Sequence, residues 1–139
     1  MFITDEDYKV VIGENALRIV TQVSAENRAK AEKEAIEEIA GYLRPKYDCQ
    51  AIFSADGDNR NQLVVMYTCD IALYHMAASL PQNMGMQIRE KRYERALDWL
   101  KGVQAEKILP DLPLATDEDG EPTGFLFKYS SQPKLKHNW

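Results

Sequence analysis

Gln62-Leu63-Val64-Val65-Met66-Tyr67-Thr68-Cys69-Asp70-Ile71-Ala72-Leu73-Tyr74-His75-Met76-Ala77-Ala78-Ser79-Leu80 is the stretch that decides the fold. Leu63, Val64, Val65, Met66, Tyr67, Ile71, Ala72, Leu73, Tyr74, Met76 and Ala77 cover almost every direction around a helical axis. A helix that is apolar on all sides is normally enclosed by others, so the sequence predicts a helix over 62–80 at the centre of a bundle. Pro81 stops it, and Asn83 with Gly85 supplies the turn that follows.

The neighbours of that helix are amphipathic. Downstream, Tyr93, Ala96, Leu97, Leu100, Val103 and Ile108 form the inner stripe of a helix over 86–107, with Arg89, Lys91, Arg92 and Arg95 on its outer side. Upstream, Ser24 is a good N-cap for a helix over 25–43. Its apolar face is Ala25, Ala29, Ala35, Ile36, Ile39, Ala40 and Leu43; Glu26/Lys30, Arg28/Glu32, Lys30/Glu34 and Lys33/Glu37 are opposite charges at i, i+4 on the other. Pro45 ends it. Thr4 followed by Asp7 reads as a capping box for a short first helix carrying Tyr8, Val11 and Ile12, with Gly13 as its stop. Leu17, Val20 and Val23 are consistent with one more short helix. Residues 47–61 read as a loop centred on Asp56-Gly57-Asp58-Asn59. The expected architecture is therefore all-α: a small bundle of about four helices over 1–109.

After Pro110 the composition changes. Residues 110–123 are acidic and rich in breakers, and Gly124-Phe125-Leu126-Phe127-Lys128-Tyr129 alternates as a strand would, with Phe125, Phe127 and Tyr129 on one side. The sequence predicts an acidic linker and an extended C-terminal arm over 110–139. The arm sets Lys128, Lys134 and Lys136 beside Phe125, Phe127, Tyr129, Pro133 and Trp139. Aromatic anchors next to basic groups are the composition favoured at interface hot spots, which makes these residues the candidate partner-binding set.

Composition narrows the function. The chain carries a formal net charge of −5 and a pI near 5.1, with 45% hydrophobic and 28% charged residues. An acidic surface argues against generic nucleic-acid binding, which works by displacing counterions from phosphates. No apolar run is long enough to span a membrane, and two unpaired-looking cysteines, Cys49 and Cys69, suggest a reducing compartment. His75 and His137 have no second ligand at helical spacing, so no metal is expected; no phosphate loop, nucleophile elbow or dinucleotide fingerprint occurs, so neither a cofactor nor an enzyme activity is expected. Asp70 alone breaks the apolar helix. An unpaired carboxylate there is costly, so it is expected to form a core ion pair, with Arg92 or Arg95 as partner.

Four segments occur together in order: Phe2-Ile3-Thr4 with Glu6-Asp7-Tyr8, Ala40-Gly41-Tyr42-Leu43-Arg44 with Lys46-Tyr47-Asp48, Cys69-Asp70-Ile71-Ala72-Leu73-Tyr74, and Arg92-Tyr93-Glu94 with Ala96-Leu97 and Trp99-Leu100. Together they resemble the small head–tail connector (adaptor, or head-completion) proteins of tailed bacteriophages and Mu-like prophages, over about residues 2–109. The resemblance implies a structural virion protein at the head–tail interface, assembled in the host cytoplasm. Such proteins form a ring, usually of twelve subunits, beneath the portal protein, and extend the DNA channel towards the next neck or tail-completion protein. Genomic DNA passes through without sequence-specific binding, which a negative conduit suits. The arm would insert towards the portal. Ring closure would bring different faces of neighbouring subunits together, and Glu34, Glu37 and Glu38 against Arg89, Arg92 and Arg95 are the candidate subunit interface. The alternative is a small cytosolic helical module that captures a partner with its arm.

Overall fold

The computed structural model describes residues 1–21, 25–78 and 86–124. Within them the protein is all-α, with helices α1 (Asp5–Val11), α2 (Glu14–Thr21), α3 (Ala25–Leu43), α4 (Cys49–Ser54), α5 (Gln62–Ala78) and α6 (Met86–Gln104), and a 3-10 turn at Gly57–Asn59. Six α-helices among the described residues build the small bundle for which about four were expected. The arm residues Phe125, Phe127, Lys128, Tyr129, Pro133, Lys134, Lys136 and Trp139 lie outside the described residues, as do Ser24 and the turn after α5.

Helix α5 is the axle. Asn61 caps it by accepting from the amides of Leu63 (3.0 Å) and Val64 (3.1 Å). Val64, Ile71, Ala72 and Leu73 are fully enclosed, and Val65, Met76 and Ala77 nearly so. Tyr67 packs on Trp99 with ring centroids 5.1 Å apart, Asp70 meets Arg92, and Tyr74 stacks on Tyr93 at 4.1 Å, so α5 and α6 run antiparallel. Glu38 meets Tyr93, and Lys46 reaches the end of α6, which sets α3 parallel to α6.

Local chemistry explains most boundaries. Thr4 and Asp7 form the capping box of α1: the Asp7 amide donates to Thr4 Oγ1 (3.4 Å) and the Thr4 amide donates to Asp7 Oδ2 (2.7 Å). On α3 the buried stripe is Ala31, Ala35, Ile39, Ala40 and Leu43, whereas Ala25 and Ala29 are exposed. Alanine buries little and favours helix anywhere, so it marks a helix better than it marks a core.

Three expectations need correction. Residues 47–61 are not all loop: Asp48 caps α4 by accepting from the Ala51 amide (3.1 Å), Ile52 is buried, and Phe53 meets Phe2 edge-to-face at 5.0 Å. Six residues are too few to show a helical period. Helix α6 ends at Gln104 rather than Lys107, in a Schellman turn: Lys107 N donates to Gly102 O (2.9 Å), Glu106 N donates to Val103 O (3.0 Å), and Glu106 takes the left-handed conformation (φ 61°). The end of the Ile108 side chain packs over Gly102, 2.7 Å from where a Cβ would stand, so a larger residue there would require Ile108 to shift.

The third concerns the acidic linker, which docks on the bundle. Leu112 joins the core, Asp48 N donates to Pro113 O (2.8 Å), and Ala115 N donates to Lys46 O (3.0 Å). The chain then reverses: Thr123 N donates to Ala115 O (3.0 Å) and Asp117 N donates to Glu121 O (2.9 Å), with Asp117 Oδ1 accepting from the amides of Asp119 and Glu121, both at 2.9 Å. This acidic hairpin pairs through single bridges at Tyr47–Leu114 and Thr116–Pro122. The Pro110 carbonyl accepts from Leu112 N (3.0 Å) and the Pro113 carbonyl from Asp48 N, pairings that composition does not reveal.

Candidate functional site

Asp70 sits on the α6-facing side of α5, with no solvent exposure. Its Oδ1 accepts from Arg92 Nε at 2.6 Å, and Arg95 Nη2 lies 4.0 Å from Oδ2. The sequence left Arg92 and Arg95 open as partners; the structure assigns the hydrogen bond to Arg92. A third guanidinium, Arg89, is also buried, and its Nη2 donates to the Val11 carbonyl at 3.4 Å. Arg89 therefore ties the start of α6 to the end of α1. Among the described residues, Asp70 Oδ2 and Arg89 Nη1 make no hydrogen bond.

The electrostatics follow from this crowding. Burial pushes the Asp70 carboxyl above the ordinary carboxylate range, against the pull of Arg92, Arg89 and Arg95. Burial likewise lowers Arg89 below the usual guanidinium value, opposed by Asp70. One carboxylate faces three guanidiniums, while Glu90, Glu94 and Asp98 alternate with the cations along the exposed side of α6.

The candidate interface residues divide into two sets. Glu38 is not on the outer face: its Oε1 accepts from Tyr93 Oη at 3.1 Å and lies 3.8 Å from His75 Nε2. Burial first, and the Glu38 charge second, push the Tyr93 phenol up to about 12. Arg89 and Arg92 are likewise occupied inside the chain. Desolvated polar groups take the nearest donors and acceptors, so all three are bonded within the chain, Arg89 buried and Glu38 and Arg92 half-buried. Glu34 and Glu37 remain exposed beside Lys30 (4.0 Å) and Arg44 (3.0 Å), and Arg95 is half-exposed.

A second polar cluster marks where the arm leaves. Lys46 is buried, its Nζ donates to the Gln104 carbonyl at the end of α6, and it lies 3.6 Å from Glu106 Oε1. Next to it, Gly124 (φ 78°) is wedged against the backbone: a Cβ there would stand 1.9 Å from Pro45 O. Only glycine fits, so the chain passes this point on a fixed path. Neither feature can be read from the sequence, because both join residues that lie far apart along the chain.

Two further networks hold α1. Arg60 grips the Asp7 carboxylate (2.6 and 3.2 Å) and the Phe2 carbonyl (2.6 Å), and Arg28 bonds to Asp5 and Glu32 while lying over the Tyr8 ring. Tyr8 Oη donates to Glu32 at 2.8 Å. Among the described residues, no three His, Cys, Asp or Glu side chains converge as metal ligands, and no helix is long and apolar enough to cross a membrane.

Fold and polar clusters together define a small all-α domain whose internal charges tie helix to helix and fix the path of the chain at its C-terminal side. The family model described as Bacteriophage Mu, Gp36 matches residues 2–128, and the chain belongs to that family of Mu-like phage proteins. No curated protein matches the sequence.

Proposed function

We propose that this protein is a structural subunit of the phage particle, assembled as a ring-shaped head–tail connector that docks beneath the portal protein and extends the DNA channel to the neck or tail. Family membership over residues 2–128 carries the reading. The geometry supports it in two ways. Charged side chains are drawn into helix-to-helix locks, as suits a rigid building block. The wedge of Gly124 against Pro45 fixes the chain at the residue that precedes the arm.

In this reading Phe125, Phe127, Lys128, Tyr129, Pro133, Lys134, Lys136 and Trp139 engage the portal or an adjacent subunit, and the helices give the ring its wall. The ring, the twelvefold count, the virion location, the unspecific passage of genomic DNA and the absence of catalysis are all parts of the proposal.

Truncation after Gly124 tests it. The shortened protein should melt within a few degrees of the full chain yet fail to enter phage particles or bind the portal, as read by imaging of particles and by co-sedimentation. Normal incorporation of the truncated protein overturns the role given to the arm. Full-length protein that is absent from purified particles overturns the connector reading itself.

A further inference from the structure

Aspartate followed by glycine occurs twice in the chain, at Asp56-Gly57 and Asp119-Gly120. The dipeptide is chemically labile. Glycine has no Cβ to shield its amide or restrict its backbone, so its nitrogen can reach the carboxyl carbon of the preceding aspartate. Both sites are exposed, and both glycines lie in the left-handed region, Gly57 at φ 55° and Gly120 at φ 80°. Hydrogen bonding separates them.

Gly120 is held. Its amide donates to Asp117 O (3.0 Å), and the amides of Asp119 and Glu121 on either side both donate to Asp117 Oδ1 at 2.9 Å. The nitrogen that would attack is already engaged, and the peptide units around it turn only when those bonds open. At the other site the Gly57 amide has no acceptor among the described residues, and the Asp56 side chain caps no amide. The space beside Gly57 is open, with nothing within 4 Å of where a Cβ would stand.

We infer that Asp56-Gly57 is a self-modification site, which isomerises to isoaspartate and thereby loosens the hold on α1. The Gly57 nitrogen attacks the protonated Asp56 carboxyl carbon. A C–N bond forms, the amide proton and the carboxyl hydroxyl leave as one water, and a succinimide results. Water then opens the ring. Cleavage of the bond from the Gly57 nitrogen to the Asp56 main-chain carbonyl carbon gives isoaspartate; cleavage of the new bond returns aspartate. Nothing is oxidised or reduced, and the product has the mass of the starting chain.

The consequence runs through Arg60. The Asp56 carbonyl accepts from Asn59 N (3.1 Å), and Gly57 O accepts from Arg60 Nε (2.9 Å). The same guanidinium holds the Asp7 carboxylate and the Phe2 carbonyl. In isoaspartate the backbone runs through Cβ and Cγ, one carbon longer, and the former Asp56 carbonyl becomes a free carboxylate. The turn loses its Asn59 bond and Gly57 O moves from Arg60, which leaves the clamp on α1 without its anchor. The inference stands apart from the connector reading.

The test ages the full chain for weeks at about pH 6, where more of the carboxyl is protonated than at neutral pH. Peptide mapping and methylation by a protein isoaspartyl methyltransferase locate the product. Isoaspartate should form roughly tenfold faster at position 56 than at 119, the factor that one or two backbone hydrogen bonds supply. Asp56→Asn reaches the same succinimide with ammonia as leaving group and should convert faster; Asp56→Glu, which needs a larger ring, should give none there. In the isoaspartate fraction the Tyr8 and Ile12 amides of α1 should exchange hydrogen severalfold faster, while aged Asp56→Glu protein keeps its native rates. Equal conversion at the two sites, conversion at 119 alone, no conversion at 56, or unchanged α1 exchange once position 56 has converted overturns the inference.

Discussion

Removing Asp70 should be far more damaging than its size suggests, and the pH dependence should reveal why. The carboxylate is wholly enclosed and bonded to Arg92 at 2.6 Å, with Arg89 also buried behind it. Asp70→Asn would leave Arg89 without a countercharge and Arg92 with a neutral partner. Breaking a buried pair in this way costs about 3–5 kcal/mol, a large part of the roughly 5–15 kcal/mol that holds a domain together, and lowers Tm by roughly 10–20 °C. Arg92→Ala should cost less, because Arg95 and Arg89 still face the carboxylate and the acid can take up a proton. Burial already holds the Asp70 carboxyl above its unfolded value of 3.8, and loss of Arg92 raises it further. Above pH 3.8 the folded state then binds more protons than the unfolded one, so stability falls as pH rises through the folded pKa. The Arg92→Ala deficit should be largest at about pH 8 and smaller at about pH 5, whereas that of Asp70→Asn should not shrink. Urea unfolding followed by tryptophan fluorescence at both pH values measures this. An Asp70→Asn loss below about 1 kcal/mol, or an Arg92→Ala deficit equal at the two pH values, would refute the electrostatic account.

Three further outcomes are expected. Gly124→Ala should loosen the hairpin, seen as faster hydrogen exchange at the Ala115 and Thr123 amides, while Gly120→Ala, at φ 80° but with open space around it, should cost only about 1 kcal/mol; equal effects would count against the wedge. Glu106→Ala keeps the left-handed strain and loses the Lys46 contact, so Glu106→Gly should be more stable than Glu106→Ala by about 1 kcal/mol in thermal melts. Burial pushes the Cys69 thiol far up and the Cys49 thiol more modestly, so a thiol reagent at about pH 8 should label Cys49 slowly and Cys69 only after unfolding; rapid labelling of Cys69 in the native protein would contradict its enclosure.

Long periodic elements were legible in the sequence, and features made by distant backbone were not. The apolar positions all around the axis over residues 62–80 announced a central helix, and α5 occupies 62–78 of that range. Asp70 was legible for the same reason: a lone carboxylate in an apolar helix must have a partner, and α6 offered arginines at helical spacing. Helix α4 was hidden because six residues complete less than two turns. Docking of 110–124 was hidden because prolines and acids signal irregular chain without saying where it goes; the answer lies in hydrogen bonds to Lys46 and Asp48, far back in sequence. Glu106 in the left-handed region was equally invisible, since glycine is the usual sign of such a turn.

Glu38, Arg89 and Arg92, three of the residues expected at a subunit interface, are all bonded within the chain for one cause. A helical wheel assigns charges to the outside because it knows one helix at a time. Once α5 supplies a buried carboxylate and α6 a half-buried phenol, desolvated groups take whatever donors and acceptors their neighbours hold, and charged residues at the margin of a stripe are drawn in. The charges left for other molecules are then those on elements that pack on one side only. In this chain they include Lys91, Glu94, Arg95 and Asp98 on the outer side of α6 and Glu118 and Asp119 in the hairpin.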